Sequence, residues 1–404
     1  MRKTNHTIRL LYAVAITLVV LGHCQGGSIT PFAGWFPVYS YHLAIFAFCS
    51  GYLFHGDDTP LPRFLGRKAL RLLVPLLAWN VAYGLAVCGL ARLGFAIGTP
   101  ELSVETLLIR PFTDGHQFVY NMGGWFVVSL FLIQALDAGL RRLAARLGLE
   151  VGDWAWFAIL AVPGVLGIWA ASRGYNTGLW LALVRMAEFM PHYAAGELYA
   201  RRLEQRDSVG NVAWFGGIFL VQLAIIAVLG GAPSFTPSWC NDFGNPLVVV
   251  LEGYLGTALW LRIARILEPV ARKSRLVEAV GSSTFSIMLH QFAGFMLVKA
   301  VFALLHTQFG LCEGFDVEAF RSDVWYFYLP RGMKQFLIVY AFAGIALPLA
   351  IQRLQDAVSS LFARPREEVP SGRHFAPAAN RPSSTEDTRQ GSPRATHLSR
   401  SPRR

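Results

Sequence analysis

Apolar residues in this chain gather in runs of roughly 17 to 25 residues, each long enough to cross the ~30 Å hydrocarbon layer of a bilayer as a helix. Charged or Gly/Pro-rich breaks separate them. Ten such stretches fall at about 10–24, 36–54, 70–91, 122–140, 154–171, 178–199, 212–230, 245–261, 281–305 and 335–352. Backbone groups in lipid must be hydrogen-bonded internally, so the spanning elements are expected to be helices. The pattern predicts an all-α integral membrane protein with about ten transmembrane helices. The stretch at 178–199 is the least regular, because it holds Arg185, Glu188, His192 and Glu197. Residues 1–355 form the expected membrane domain and 356–404 a basic tail. From Arg364 onward the tail is Pro, Ser, Arg and Thr with almost no large apolar residues, a composition that predicts disorder.

Composition agrees with this pattern: 54% of the 404 residues are hydrophobic and 15% charged, with mean hydropathy +0.41. A soluble domain carries about 25% charged residues. A soluble two-domain enzyme, a disulfide-stapled secreted domain and a nucleic-acid-binding protein are excluded, despite a net charge of +11. The position of the charge says more than its size. Counted on alternate sides of ten spans, 28 of the 36 Lys and Arg fall on one side and 6 on the other, with Arg185 and Lys299 inside the bilayer. By the positive-inside rule both termini are cytoplasmic. From Arg364 onward the tail contributes +5 of the +11 and reads either as a solvated extension or as an attraction to anionic membrane lipids.

The first apolar stretch lacks a small-residue cleavage site, and His23 before Cys24 breaks a lipoprotein signal, so it is expected to stay as a helix. Cys240 and Cys312 both fall in outward loops, where a disulfide is permitted. No metal-ligand cluster, phosphate-cradling glycine loop or internal repeat is visible, and no metal or bound cofactor is expected.

Ionisable residues at membrane depth are costly and are functional candidates for that reason. His23 lies fourteen residues after Arg9, about 21 Å along the helix at ~1.5 Å per residue, and so in the outward half. An imidazole there suits proton abstraction from a hydroxyl. His42, beside Tyr39 and Tyr41, falls in the outward half of the second span, and the two histidines are expected to share one aqueous cavity. Arg185 and Glu188, three apart, share a helical face and fit either a self-satisfied ion pair or a substrate contact. His290 is a third imidazole at depth. His42 and His290 each fit an interhelical hydrogen bond equally well. In the inward segment 62–71, Arg67 and Arg71 stack on one face of an entering helix, a geometry that fits phosphate and also ordinary topology charge.

The stretch Ala-Val-Ala-Ile-Thr-Leu-Val-Val-Leu-Gly-His at 13–23, Tyr-His-Leu-Ala-Ile-Phe-Ala-Phe-Cys-Ser-Gly-Tyr-Leu-Phe at 41–54 and the basic segment ending Arg71-Leu-Leu-Val-Pro75 resemble membrane-bound acyltransferase family 3. Gly-Trp-Phe-Val-Val-Ser-Leu at 124–130, which contains Trp125, and Gly-Ser-Ser-Thr-Phe-Ser-Ile-Met-Leu-His at 281–290 resemble its later landmarks. The similarity spans about 10 to 350, and the order of the motifs carries it.

That resemblance implies O-acylation, usually O-acetylation, of a sugar in a cell-surface polysaccharide, lipopolysaccharide or lipid-linked glycan. The donor would be cytoplasmic acyl-coenzyme A, such as acetyl-coenzyme A, and the acceptor would lie outside the bacterial inner membrane. The family's first-span histidine falls on His23 and its basic patch on Arg67, Lys68 and Arg71. Members of the fucose 4-O-acetylase type have a histidine matching His42. The family's basic residue eleven positions before the first histidine is Tyr12 here, with Arg9 three residues earlier on the same helix face. Trp125, Arg185, Glu188 and His290 are the remaining candidates for substrate contacts or ion pairs. A multispanning transporter or flippase for a sugar or lipid-linked intermediate would share the spans and basic loops, but the halves show no inverted-repeat symmetry. A scaffold within a polysaccharide-assembly complex is a third reading. The acyl length, the acceptor hydroxyl and the oligomeric state stay open at this point.

Overall fold

The computed structural model describes residues 5–27, 29–54, 56, 59–98, 101–114 and 119–362. Arg2, Lys3 and the basic tail beyond 362, with its expected disorder, lie outside these. Among the described residues the chain is helical, with no strand: α1 (His6–His23), α2 (His42–Tyr52), α3 (Leu61–Arg92), α4 (Arg110–Thr113), α5 (Gly124–Arg146), α6 (Asp153–Ser172), α7 (Leu179–Leu198), α8 (Asn211–Leu229), α9 (Pro246–Ala271), α10 (Arg275–Ser282), α11 (Thr284–Phe309), α12 (Val317–Ser322) and α13 (Leu337–Phe362). Three of these, α4, α10 and α12, are short connectors. The others answer to the ten apolar stretches, although α3 starts at Leu61 and so takes the basic segment 62–71 into its first turns.

Seven helices among the described residues are long and apolar enough to cross a membrane: α1, α3, α6, α8, α9, α11 and α13 with the turn before it. The other three are interior elements. With 11 residues, α2 rises only about 16 Å, half the hydrocarbon thickness. In α7, Arg185, Glu188, His192 and Glu197 are all buried. Asp137 of α5 has no exposed surface and accepts hydrogen bonds from Trp156 Nε1 at 2.7 Å and Arg141 Nε at 3.0 Å. Arg141 Nη2 continues to Glu197 Oε2 at 2.5 Å, tying α5 to α7. These charges are tolerated because they meet protein rather than lipid. The lipid-facing role falls to helices such as α8, where Val212, Leu220 and Val228 are exposed.

Close packing, rather than apolar attraction, holds helices together in lipid, and it favours small residues at the crossings. The α2–α7 contact shows this from both sides. A Cβ on Gly51 would fall on the backbone carbonyl of Tyr193, and a Cβ on Gly196 on that of Phe48. Gly164 of α6 is likewise filled by Pro191 of α7. Helix α1 packs against α2, α9, α10 and α11 and runs through the interior. Its N-cap is Asn5, whose Oδ1 accepts from Ile8 N at 3.1 Å while its Nδ2 donates to Tyr52 Oη at 2.7 Å. Tyr52 Oη in turn donates to Glu204 Oε2 at 2.7 Å, and the Arg265 guanidinium spans Glu204 and Asp207. The basic residues of alternate connections thus gather at one end of the bundle, called here the basic end.

The Gly196→Ala protein is expected to lose about 1–3 kcal/mol, the usual cost of overpacking against a fixed neighbour. Gly139→Ala on α5 meets open space and should hold or raise stability by up to about 1 kcal/mol. Thermal unfolding in detergent checks both, and an unchanged midpoint for Gly196→Ala would show that the crossing is not tight.

Candidate active site

One face of α1 is set apart from the rest of the helix. Asn5, Arg9, Tyr12, Ile16, Val19 and His23 recur every three or four residues, and all of them line a single cavity of about 1090 Å³. Arg9 and His23 are fourteen residues apart on that face, about 21 Å at ~1.5 Å per residue, so the cavity follows α1 through most of a bilayer thickness. Its basic mouth holds Arg9, Lys68 and Arg71 with Asn5 and Tyr52. The middle is apolar, walled by Phe46, Trp125, Phe126 and Met288. The far end holds His23, His42 and Tyr39 under a roof made by Thr236, Pro237 and Ser238.

The two histidines do share this cavity, and hydrogen bonds fix the tautomer of each. His42 Nδ1 lies 2.7 Å from Val38 O. A carbonyl only accepts, so Nδ1 carries the hydrogen and Nε2 the lone pair. His23 Nδ1 lies 3.2 Å from Gln291 Oε1, while Gln291 Nε2 donates to Met288 O at 3.2 Å. That second bond turns the amide oxygen toward His23, so its Nδ1 donates and its Nε2 is the basic nitrogen. The Tyr39 ring meets both imidazoles edge-on, at centroid distances of 6.2 Å and 5.4 Å. Its hydroxyl donates to Gly22 O at 2.8 Å.

At the basic mouth, Arg9 is held by Glu278 Oε1 at 3.5 Å and Gly281 O at 3.4 Å, and Tyr12 sits one turn deeper against Phe46. Both line the same cavity, so a basic group is available one turn below the position the family pattern favours. Of the three candidates Arg67, Lys68 and Arg71 in the first turns of α3, Lys68 and Arg71 line the cavity and share a face. Arg67 does not line it; its Nη2 donates to Thr59 Oγ1 at 2.9 Å.

Other candidates lie apart from the cavity. The ion pair expected between Arg185 and Glu188 does not form. Arg185 Nε donates to Ser238 O at 2.9 Å, and its guanidinium stacks on the Trp125 ring at 4.9 Å. Trp125 lines the cavity, so Arg185 backs its wall and anchors its roof at the same time. Glu188 meets Cys240 Sγ at 4.0 Å. The Cys240–Cys312 disulfide does not form either, and both thiols are free. Cys240 is buried with the roof loop, its Sγ 3.2 Å from Pro237 O, whereas Cys312 packs in a separate cluster with Phe315, Phe320 and Tyr328. His290 bonds Tyr83 Oη at 2.7 Å and packs on Trp79 at 4.2 Å, a link between α3 and α11 away from the cavity. No group of three His, Cys, Asp or Glu suited to a metal occurs among the described residues.

Gln291, the partner of His23, was not singled out from the sequence. The signal was present: it follows His290 in the same motif, an amide at membrane depth turned about 100° from its neighbour on the helix.

Arg185→Met removes the anchor of the roof loop while keeping the side-chain volume. A membrane-impermeant maleimide is expected to label Cys240 at least several-fold faster in this variant than in the parent, read by intact mass. An unchanged rate would show that the roof is held elsewhere.

Residues 5–352 match the family profile described as an acyltransferase domain, of acyltransferase family 3. No curated protein and no solved structure matches the chain. The match covers far more than half of the sequence and includes every residue that lines the cavity. This chain therefore belongs to acyltransferase family 3: it is a multi-pass membrane acyltransferase.

Proposed function

We propose that the protein moves an acyl group, acetyl in the simplest case, from coenzyme A at the basic mouth to a hydroxyl of a glycan at the His23 end. The glycan is a cell-surface polysaccharide, a lipopolysaccharide or a lipid-linked precursor. The basic mouth faces the cytoplasm of a bacterial cell, both termini lie on that side, and His23 opens toward the outer side of the inner membrane. One observation supports this more than any other: a single cavity has Arg9, Lys68 and Arg71 at one end and oriented imidazoles at the other.

Each part of the cavity suits a part of the donor. Arg9, Lys68 and Arg71 offer the charge needed by the nucleotide phosphates. The apolar middle takes the slender pantetheine arm with its thioester. Its volume of about 1090 Å³ sits at the upper end of ligand pockets, which leaves room for an arm as well as a small acyl group.

His23 Nε2 takes the proton from the acceptor hydroxyl as that oxygen attacks the thioester carbonyl. The carbon–sulfur bond breaks, and the thiolate leaves toward the cytoplasm, where it is protonated. An acyl-histidine intermediate divides the same exchange into two steps: Nε2 attacks the thioester and expels the thiolate, and the glycan hydroxyl then displaces Nε2 from the acyl carbon, its proton passing to the released Nε2 and from there to water. In either route Gln291 holds Nδ1–H and keeps Nε2 aimed.

The reading is tested by incubating purified protein with radiolabelled acetyl-coenzyme A and surface glycan. Labelled glycan is expected, and a deletion strain should lose O-acetyl groups that its parent carries; unlabelled glycan with unchanged O-acetylation would overturn it. His23→Ala should lower turnover by about 10²–10⁴-fold, the scale of general acid–base catalysis. Gln291→Leu should lower kcat with little change in the KM for acetyl-coenzyme A. A His23→Ala protein of normal rate would remove the imidazole from the chemistry. Lys68→Ala with Arg71→Ala is expected to raise the KM for acetyl-coenzyme A about tenfold at low salt, a difference that shrinks as salt screens the phosphates. Arg67→Ala, outside the cavity, should change it less than twofold, and equal effects of all three would place the mouth elsewhere.

A further inference from the structure

The apolar part of the cavity wall is broken at one level. Along one face of α2 and its C-cap the lining residues are Phe46, Ser50 and Leu53, and along one face of α5 they are Val127, Leu130 and Gln134. Each set recurs every three or four residues and so marks a single helical face. Both faces are apolar except where Ser50 and Gln134 meet, with Gln134 Nε2 donating to Ser50 Oγ at 2.8 Å. Ser50 lies eight residues from His42 and two from Tyr52, about 12 Å and 3 Å along the chain of α2 at 1.5 Å per residue. The pair therefore sits just inside the basic mouth, on the way to the imidazoles.

That bond leaves Gln134 half satisfied. The residue is only 8% exposed, and its Oε1 has no hydrogen-bond partner among the described residues. A buried amide oxygen without a donor is costly, because folding has removed its water and returned nothing. Gln291 makes the contrast: its amide, at the far end of the same cavity, is engaged on both sides, by His23 and by Met288. Ser50 meanwhile holds Nε2 and so fixes the plane of the Gln134 amide across the gap between α2 and α5.

We propose that Gln134 reads the arm of the acyl donor, its Oε1 accepting one amide N–H of the pantetheine chain. This rests on the function proposed above and adds a specificity-determining contact to it. Between its phosphates and its sulfur the arm carries two secondary amides set among methylene groups. An apolar wall with one spare acceptor suits that chemistry: the methylenes bury against Phe46 and Leu130, and one N–H exchanges water for an oxygen already in place. Arg9, Lys68 and Arg71 hold the phosphate end, and Gln134 sets the register of the arm between them and His23. A plain alkyl chain of the same length would leave Oε1 unsatisfied and is selected against for that reason.

The test measures binding to the full-length protein in detergent by titration calorimetry, using acetyl-coenzyme A and two analogues, each with one arm amide N–H replaced by an ester oxygen. The parent is expected to bind at least one ester about tenfold more weakly than acetyl-coenzyme A, the scale of one hydrogen bond. Gln134→Met, similar in volume but without the amide, should bind acetyl-coenzyme A about tenfold more weakly than the parent does. It should bind that ester within twofold of the parent, which also reports a folded protein with its mouth intact. Ser50→Ala, which frees the amide, should reduce the discrimination as well and gives a second reading where Gln134→Met does not fold. A parent with equal affinity for all three ligands, or folded variants that discriminate as the parent does or lose both ligands equally, overturns the contact while leaving the donor site standing. Parent protein that binds no acetyl-coenzyme A overturns the reading on which the contact rests.

Discussion

A helix buried in a bilayer protein cannot hold a guanidinium near one end and an imidazole at the other, both on one face, unless that face is kept out of lipid. Helix α1 meets this condition, and the arrangement around it follows. The other sides of α1 are packed by Leu11, Ala15 and Val20, none of which has exposed surface. The remaining face is left for the cavity, and α2, α3, α5, α10 and α11 supply its other walls. Their placement explains why α2 is short: its eleven residues begin at His42, so the imidazole sits on its first turn, level with the end of α1.

Several buried charges that look catalytic in isolation instead hold this cavity open. Arg185 is the clearest case, because one guanidinium both supports Trp125 in the wall and grips Ser238 in the roof. Asp137, with Trp156, Arg141 and through it Glu197, ties α5, α6 and α7 to one another away from the cavity lining. Such clusters contribute little net stability compared with apolar packing, but removing one member leaves a buried charge without its partner. They fix geometry rather than add stability.

The helical architecture was legible in the sequence because a span announces itself by length and composition alone. All ten stretches became helices, and Arg9, Lys68, Arg71, His23 and His42 came together as their places along the spans implied. What the sequence could not show was rotation. Arg67 and Lys68 are neighbours, yet only Lys68 lines the cavity; His290 and Gln291 are neighbours, yet only Gln291 reaches His23. A shift of one residue turns a side chain by about 100°, and nothing local in an all-apolar helix records which way is inward. The Arg185–Glu188 pair failed for a related reason. Spacing of three places two groups on one face, but Ser238, contributed by a loop 53 residues away, offered the guanidinium a better partner.

One cavity joins a basic mouth to a pair of imidazoles, and Arg185 ties its wall at Trp125 to the loop at Ser238. A flippase would also need a cavity with polar ends, but it would have to let its cargo leave at the far end. Here that end is lined by Thr236–Ser238, which Arg185 anchors, and by His23, whose Nδ1 is tied to Gln291. Under the function proposed above, a long molecule entering at Arg9 meets an imidazole whose orientation is set by that bond. On that proposal only a small group released from the donor's tip needs to pass, by exchange of a covalent bond rather than by diffusion. Acyl transfer needs only that exchange, whereas moving a whole glycan through the same cavity would require the loop of Thr236–Ser238 and His23 to part.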